Sequence, residues 1–147
     1  MIQNVLIICI GNICRSPIAE ALLASRLKDS HPDVKVSSAG LGALVGSPAD
    51  PISVELMQAR SIDISLHRGR QATHELIFSS ELILTMTTDQ QQQIEKMYPN
   101  TKGRVHRIGK WDEFDIPDPF KRPRVIFEQT LVLIEQGIET WLERLWK

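Results

Sequence analysis

Cys9 and Arg15 stand six positions apart, joined by Ile10-Gly11-Asn12-Ile13-Cys14, and Arg15 leads into Ser16-Pro17. A short apolar run ends at the cysteine, and a Ser-Pro pair marks the start of a helix just beyond the arginine. Strand, tight loop and helix in that order aim backbone N–H groups and the positive end of a helix at one point, which suits a phosphate. Gly11 is expected to allow a backbone conformation that a side chain would obstruct. Arg15 offers a planar fork that can hold two phosphate oxygens. A thiol in such surroundings loses its proton readily, with pKa values falling from about 8.5 to roughly 3.5–7.5. The Cys9 thiolate could then attack phosphorus and form a phosphocysteine, and the Ser16 hydroxyl could stabilise it as attacking and leaving group. A cysteine ending an apolar strand is by default core. The strand, the glycine, the Ser-Pro start and a reducing compartment together favour chemistry.

Breaking a phosphate ester also calls for a proton on the departing oxygen. Asp112, Glu113, Asp115 and Asp118 are the nearby candidates before the last helical stretch, and spacing alone does not rank them. Asp118 stands out because Pro117 and Pro119 stiffen its loop. A proline-flanked aspartate is also common in ordinary turns.

The elements that must position these groups alternate between strand and helix. Asn4 to Cys9, Val34 to Ser37, Leu82 to Met86 and Val105 to Ile108 read as strands buried on both faces, the mark of a parallel sheet. Helices are expected after Ser16, with Pro17 at the first helical position and Ile18, Ala21, Leu22 and Ser25 on one face. Others are expected from Asp50-Pro51 with Ile52, Leu56 and Ala59, from a Thr73 cap, and from Thr87 or Thr88 to Tyr98. The last runs from about Pro123 to the end, with Val125, Ile126, Leu131, Leu133, Ile134, Ile138, Trp141, Leu142 and Leu145 available for the core. Gln90 to Gln93 reads as an exposed face. The whole predicts one α/β domain over residues 1–147, with ligands bound beyond the carboxyl ends of the strands, where Cys9 lies.

Bulk properties remove other classes. A net charge of −1 gives no general reason to bind nucleic acid or acidic membranes. The basic stretches Arg68 to Arg70 and Lys121 to Arg124 read as solvated surface that would also attract a phosphorylated substrate. No apolar run reaches transmembrane length, and no basic leader precedes Val5 to Ile10, so the chain is expected in the cytoplasm. Two cysteines there make neither a disulfide framework nor an all-cysteine zinc site. No metal or organic cofactor is called for, since Arg15 and the loop amides supply the positive charge.

Gly11-Asn12-Ile13-Cys14-Arg15-Ser16-Pro17 resembles, residue for residue, the signature loop of the low-molecular-weight protein tyrosine phosphatases. Ser38-Ala39-Gly40, His67, Arg70-Gln71 and Asp118-Pro119-Phe120 recur in the family's order, so the likeness spans essentially the whole chain. The resemblance implies a four-stranded parallel sheet flanked by helices and hydrolysis of phosphotyrosine. It implies Asp118 as general acid and later base, Phe120 against the substrate ring, and Asn12, Ser38 and His67 as a hydrogen-bonding shell behind the loop. It implies that Cys14 can pair reversibly with Cys9 on oxidation. Related arsenate reductases use further downstream cysteines, which this chain lacks. Protein arginine phosphatases tend to carry threonine where Ile13 stands, so an aryl ring is expected over a guanidinium. A phosphate-binding module without turnover would lack the nucleophile or the acid, and both are present. Eukaryotic relatives usually place an aromatic wall residue near Leu44. Leucine there resembles bacterial members that act on the tails of membrane tyrosine autokinases controlling capsule or exopolysaccharide export.

Overall fold

The computed structural model describes residues 2–147. Four parallel strands form one sheet in the order β2-β1-β3-β4: β1 (Asn4–Cys9), β2 (Lys35–Gly40), β3 (Leu82–Thr85) and β4 (Val105–Arg107). The helices are α1 (Arg15–Leu27), α2 (Pro51–Gln58), α3 (His74–Ser79), α4 (Thr88–Met97) and α5 (Arg124–Leu145). Among the described residues, no helix is long and apolar enough to cross a membrane.

β1 is the central strand, and every residue from Val5 to Cys9 is buried. Successive side chains of a strand point to opposite faces. Val5, Ile7 and Cys9 therefore join a core with Ile18 and Leu23 of α1, Met57 of α2, and Phe127, Leu131 and Ile138 of α5. Leu6 and Ile8 join a second core with Ile77 of α3 and Ile94 of α4. The result is a sheet between two helical layers, which explains the unbroken apolar run in β1. Cys9 ends β1 opposite Gly40, the last residue of β2.

Three helix starts follow their capping residues. The side chains of Asp50, Thr73 and Thr87 accept from the backbone N–H of Ile52, Leu76 and Gln90. α1 departs from expectation. It begins at Arg15, not after Ser16, so Pro17 is its third residue, and no side chain caps it. An uncapped first turn leaves backbone N–H groups free for another acceptor. β2 also runs further than expected, from Lys35 to Gly40, because its end pairs with Cys9.

Burial departs from expectation at three places. Gln90 is buried at 4% exposure, and its Oε1 accepts from Met86 N at 2.9 Å. It serves the backbone at the end of β3, while Gln92 and Gln93 are exposed. Along α5, Val125 and Leu145 are exposed, at the two ends of the helix, while Phe127 and Trp146 are buried. Ala59 of the second helical stretch is likewise exposed, just past the end of α2.

α5 approaches the end of the sheet through Gly137. A Cβ there would lie 2.3 Å from Ile108 Cγ2 and 2.8 Å from Ile108 O. Helix propensity alone favours alanine over glycine by about 1 kcal/mol, but this contact is with backbone as well as side chain. Gly137→Ala is therefore expected to destabilise the protein by about 1–3 kcal/mol, seen as a lower midpoint in thermal or urea unfolding. A higher midpoint would show that α5 can move away at little cost.

Candidate active site

The segment between β1 and α1 is a loop with its carbonyls turned outward. Cys9 O, Ile10 O and Gly11 O accept from the backbone N–H groups of Leu41, Gly42 and Leu44, each at 3.0 Å. Asn12 O pairs with His67 Nε2 at 2.7 Å, Ile13 O accepts from Asp50 N at 2.9 Å, and Cys14 O accepts from Ser53 Oγ at 3.3 Å. A carbonyl only accepts, so His67 carries its proton on Nε2. With the carbonyls tied back, the N–H groups of the loop and of the uncapped start of α1 remain for a ligand. Asn12 N–H lies 3.3 Å from Cys9 Sγ.

The geometry turns on Asn12, not Gly11. Asn12 has φ 59° and is completely buried. The left-handed region costs most L-residues roughly 1–2 kcal/mol, and asparagine tolerates it better than most. Gly11 is not left-handed, and a Cβ there would meet only ordinary contacts, the nearest at 3.8 Å. That expectation is corrected: a side chain at Gly11 would crowd the cleft beside Ile13 and Leu44 without straining the backbone. The glycine required by close approach is Gly40, where a Cβ would sit 2.3 Å from Ile10 O.

Asn12 also anchors a chain of hydrogen bonds. Its Oδ1 accepts from Arg70 N at 2.9 Å, which fixes its amide orientation. Its Nδ2 donates to Ser16 Oγ at 2.7 Å and to Ser38 Oγ at 3.0 Å. Each hydroxyl then has its own proton to give elsewhere. Ser38 donates to Glu20 Oε1 at 2.5 Å, and Ser16 lies 2.9 Å from Cys9 Sγ. Inventory alone directs the Ser16 proton at the sulfur, and a thiolate could only accept it. Arg70 Nε reaches Ser38 O at 2.9 Å.

Arg15 is 3% exposed. One terminal nitrogen donates to Ile116 O at 2.8 Å, and the other lies 3.8 Å from Asp118 Oδ2. Its Nε is buried with no partner among the described residues, as suits a donor reserved for a phosphate oxygen. Ile116 N in turn donates to Met86 O at 2.9 Å, so the Asp118 loop is tied to the sheet two residues before the carboxylate. Asp118 is half exposed, and its Oδ1 accepts from Phe120 N at 3.0 Å.

A cleft of about 150 Å³ opens above the sulfur, lined by Cys9, Ile10, Gly11, Ile13, Cys14, Arg15, Leu44, Asp118 and Phe120, with Gly42. The loop residues, the proposed acid and the two wall residues thus meet in one place, while Asn12, Ser16, Ser38 and His67 stand behind it. Of the four acidic candidates only Asp118 borders the cleft. Asp115 instead bonds Thr88 and Arg107, and Asp112 accepts from Gln136 at 3.4 Å. Both cysteines are free thiols. Burial, then the charge of Asp50, pushes the Cys14 thiol far up, with smaller contributions from Asp118 and Cys9, so it stays protonated.

Glu20 and Ile116 were not among the candidates that the sequence suggested, and Gly40 and Arg70 stood there only as landmarks of the family resemblance. Glu20 had a detectable signal, since it lies one helical turn beyond Ser16 on α1. Ile116 acts through its carbonyl and Arg70 through its N–H as well as its Nε, and roles of main-chain atoms leave no mark on residue type.

Loop, buried arginine and carboxylate-rimmed cleft define a cysteine-dependent phosphatase of α/β fold. Residues 4–147 match the model of the low molecular weight phosphotyrosine protein phosphatase family, and the chain belongs to that family. It is 46% identical over 145 residues to the probable low molecular weight protein-tyrosine-phosphatase EpsP of Ralstonia nicotianae, covering 99% of this chain and 97% of that one. The structure of Vibrio vulnificus Wzb in complex with benzylphosphonate superposes with TM-score 0.91 at 31% identity, covering 99% and 100% of the two chains. YwlE arginine phosphatase from Geobacillus stearothermophilus shares the fold at TM-score 0.89 and 30% identity, covering 97% and 92%.

The two duties of Asn12 can be separated by substitution. Asn12→Gly keeps access to the left-handed region and loses the side-chain bonds, whereas Asn12→Ala loses both. Both are expected to lower kcat, with the alanine variant less stable by a further 1 kcal/mol or so. Equal stability in urea unfolding would mean that the left-handed backbone is not a significant constraint.

Proposed function

We propose that this enzyme hydrolyses protein phosphotyrosine in two steps carried by Cys9, Arg15 and Asp118. Cys9 Sγ attacks phosphorus as the tyrosyl O–P bond breaks, and the Asp118 carboxyl gives its proton to the departing phenolate. Water then attacks the phosphocysteine while Asp118 takes a proton from it, and the S–P bond breaks. The Ser16 hydroxyl stabilises the departing thiolate. Throughout, Arg15 and the loop N–H groups hold the phosphoryl oxygens, where charge is concentrated. The observation that carries this reading is the outward-turned loop: its donors and Arg15 surround the sulfur at the floor of a cleft with Asp118 at its rim.

Tyrosine is favoured over arginine by the walls. Ile13, Leu44 and Phe120 offer apolar contact to an aryl ring, and the Vibrio vulnificus neighbour holds benzylphosphonate, an aryl compound. The fold alone does not discriminate, because an arginine phosphatase shares it. The physiological substrate is the phosphotyrosine tail of a membrane tyrosine autokinase of capsule or exopolysaccharide export, met in the cytoplasm. Leu44 in place of an aromatic wall and the 46% identity to EpsP support that choice.

Phosphate release from such a tail peptide and from a matched phosphoarginine peptide tests the assignment, with Cys9→Ser as the blank. Release from the phosphotyrosine tail alone is expected. Preference for phosphoarginine would overturn the argument from Ile13, and a tail left phosphorylated while a small aryl phosphate is hydrolysed would remove the partner. Asp118→Asn is expected to slow poor leaving groups by about 10²–10⁴-fold and good ones far less. Equal slowing across a series of aryl phosphates would remove Asp118 from the role of acid.

A further inference from the structure

The rim of the cleft beyond Phe120 carries cations that the fold does not use. Arg124 of the Lys121 to Arg124 stretch is committed, its guanidinium lying 2.5 Å from Glu55 and 3.9 Å from Glu128. Lys121 and Arg122 are exposed, and among the described residues neither side chain makes an ion pair or a hydrogen bond. The carboxylate nearest in sequence, Asp118, is occupied by Arg15 and Phe120 N. The chain as a whole has 17 basic and 18 acidic residues, so an unneutralised Lys121 beside a wall residue of the cleft, with an unneutralised Arg122 next to it in the chain, is a local feature.

Lys121 is also held in place at some cost. Its φ is 61°, in the left-handed region where a lysine is strained and a glycine would not be. Arg122 N donates to Pro119 O at 2.8 Å, closing the turn around Phe120. That turn brings the Lys121 ammonium to 5.4 Å from the centre of the Phe120 ring, which itself lines the cleft. A strained lysine in a turn whose Phe120 lines the cleft points to use, since glycine would make the same turn without strain.

We infer that Lys121 and Arg122 form a docking surface for acidic residues flanking the phosphotyrosine of the substrate polypeptide. This rests on the tyrosine-phosphatase reading and goes beyond it by naming the chemistry of the substrate's neighbouring residues. The phosphoryl group enters the cleft between Leu44 and Phe120, and the chain that carries it must leave over the rim. Carboxylates on that chain meet two cations with no competing partner on the enzyme. Such rim charges steer and select more than they tighten. Arg68 and Arg70 do not belong to the surface, because their guanidinium groups bond the backbone carbonyls of Ser65, His67 and Ser38.

The test compares kcat/KM for phosphotyrosine peptides flanked on both sides by glutamate, by alanine or by lysine. The wild-type enzyme is expected to favour glutamate flanks over lysine flanks by about three- to tenfold at low salt, in keeping with two exposed charge pairs. The gap should shrink in about 1 M salt, where the screening length falls to about 3 Å. The charge-reversed double variant Lys121→Glu, Arg122→Glu should invert the order. Lys121→Gly, which relieves the left-handed strain, should keep the fold and lose part of the preference. Equal kcat/KM for all three peptides, or an order unchanged by charge reversal, overturns the inference and leaves the tyrosine-phosphatase reading standing. Release from no peptide at all overturns both.

Discussion

A loop that binds a phosphate with its backbone must first find other partners for its carbonyls, because a carbonyl facing the ligand would repel it. From Cys9 to Cys14 each carbonyl has such a partner, supplied by four separate parts of the chain: the Leu41 to Leu44 segment, the cap of α2 at Asp50, Ser53 within α2, and His67. The parts differ in kind, being backbone N–H groups, a hydroxyl and an imidazole. Their common effect is to turn the donors inward. Much of the architecture beyond the sheet serves this requirement. Gly40 allows the end of β2 to lie against Ile10, and Gly69 does the same for the opposite segment, where a Cβ would sit 2.4 Å from Leu44 O.

The second layer of order concerns protons. Arg70 N–H, Asn12 and the hydroxyls of Ser16 and Ser38 form a chain in which every donor has one available acceptor. Asn12 Oδ1 must accept, so Nδ2 must donate, so both hydroxyls must send their own protons onward. One proton ends at Glu20 and the other at Cys9. A network with all members satisfied is rigid, and a rigid one can hold a hydroxyl against the Cys9 sulfur through the proposed reaction. Cys14, five residues away, has no such support. Buried and beside Asp50, it is kept as a neutral thiol. Two cysteines in one loop thus have different surroundings, a hydroxyl beside Cys9 and a carboxylate beside Cys14.

These particulars separate what residue types disclose from what they do not. The four strands were visible as apolar runs because both faces of the sheet are covered, and the caps at Asp50, Thr73 and Thr87 were visible because capping needs particular side chains. Cys9, Arg15 and the proline-flanked Asp118, which the structure brings to one cleft, stood out as candidates because the proposed chemistry is restricted to few residue types. Gly11 was misread because glycine has two uses, conformational freedom and absence of bulk, and sequence does not say which applies. Gln90 was misread because a glutamine that satisfies a buried N–H looks like one that faces water. Phe127 was passed over because a helix carrying many apolar residues offers several faces, and only packing selects one. Roles played through main-chain atoms, such as Ile116 O on Arg15, were not legible at all.

The claim on which the rest depends is that phosphorus passes through a covalent bond to Cys9. Rapid acid quenching during turnover of an aryl phosphate, followed by mass spectrometric mapping of the protein, tests it directly. A phosphoryl group on the peptide that contains Cys9, appearing as fast as the aryl alcohol is released, is the result the geometry predicts. A phosphoryl group on another residue, or turnover with none on the protein at any time, would contradict it.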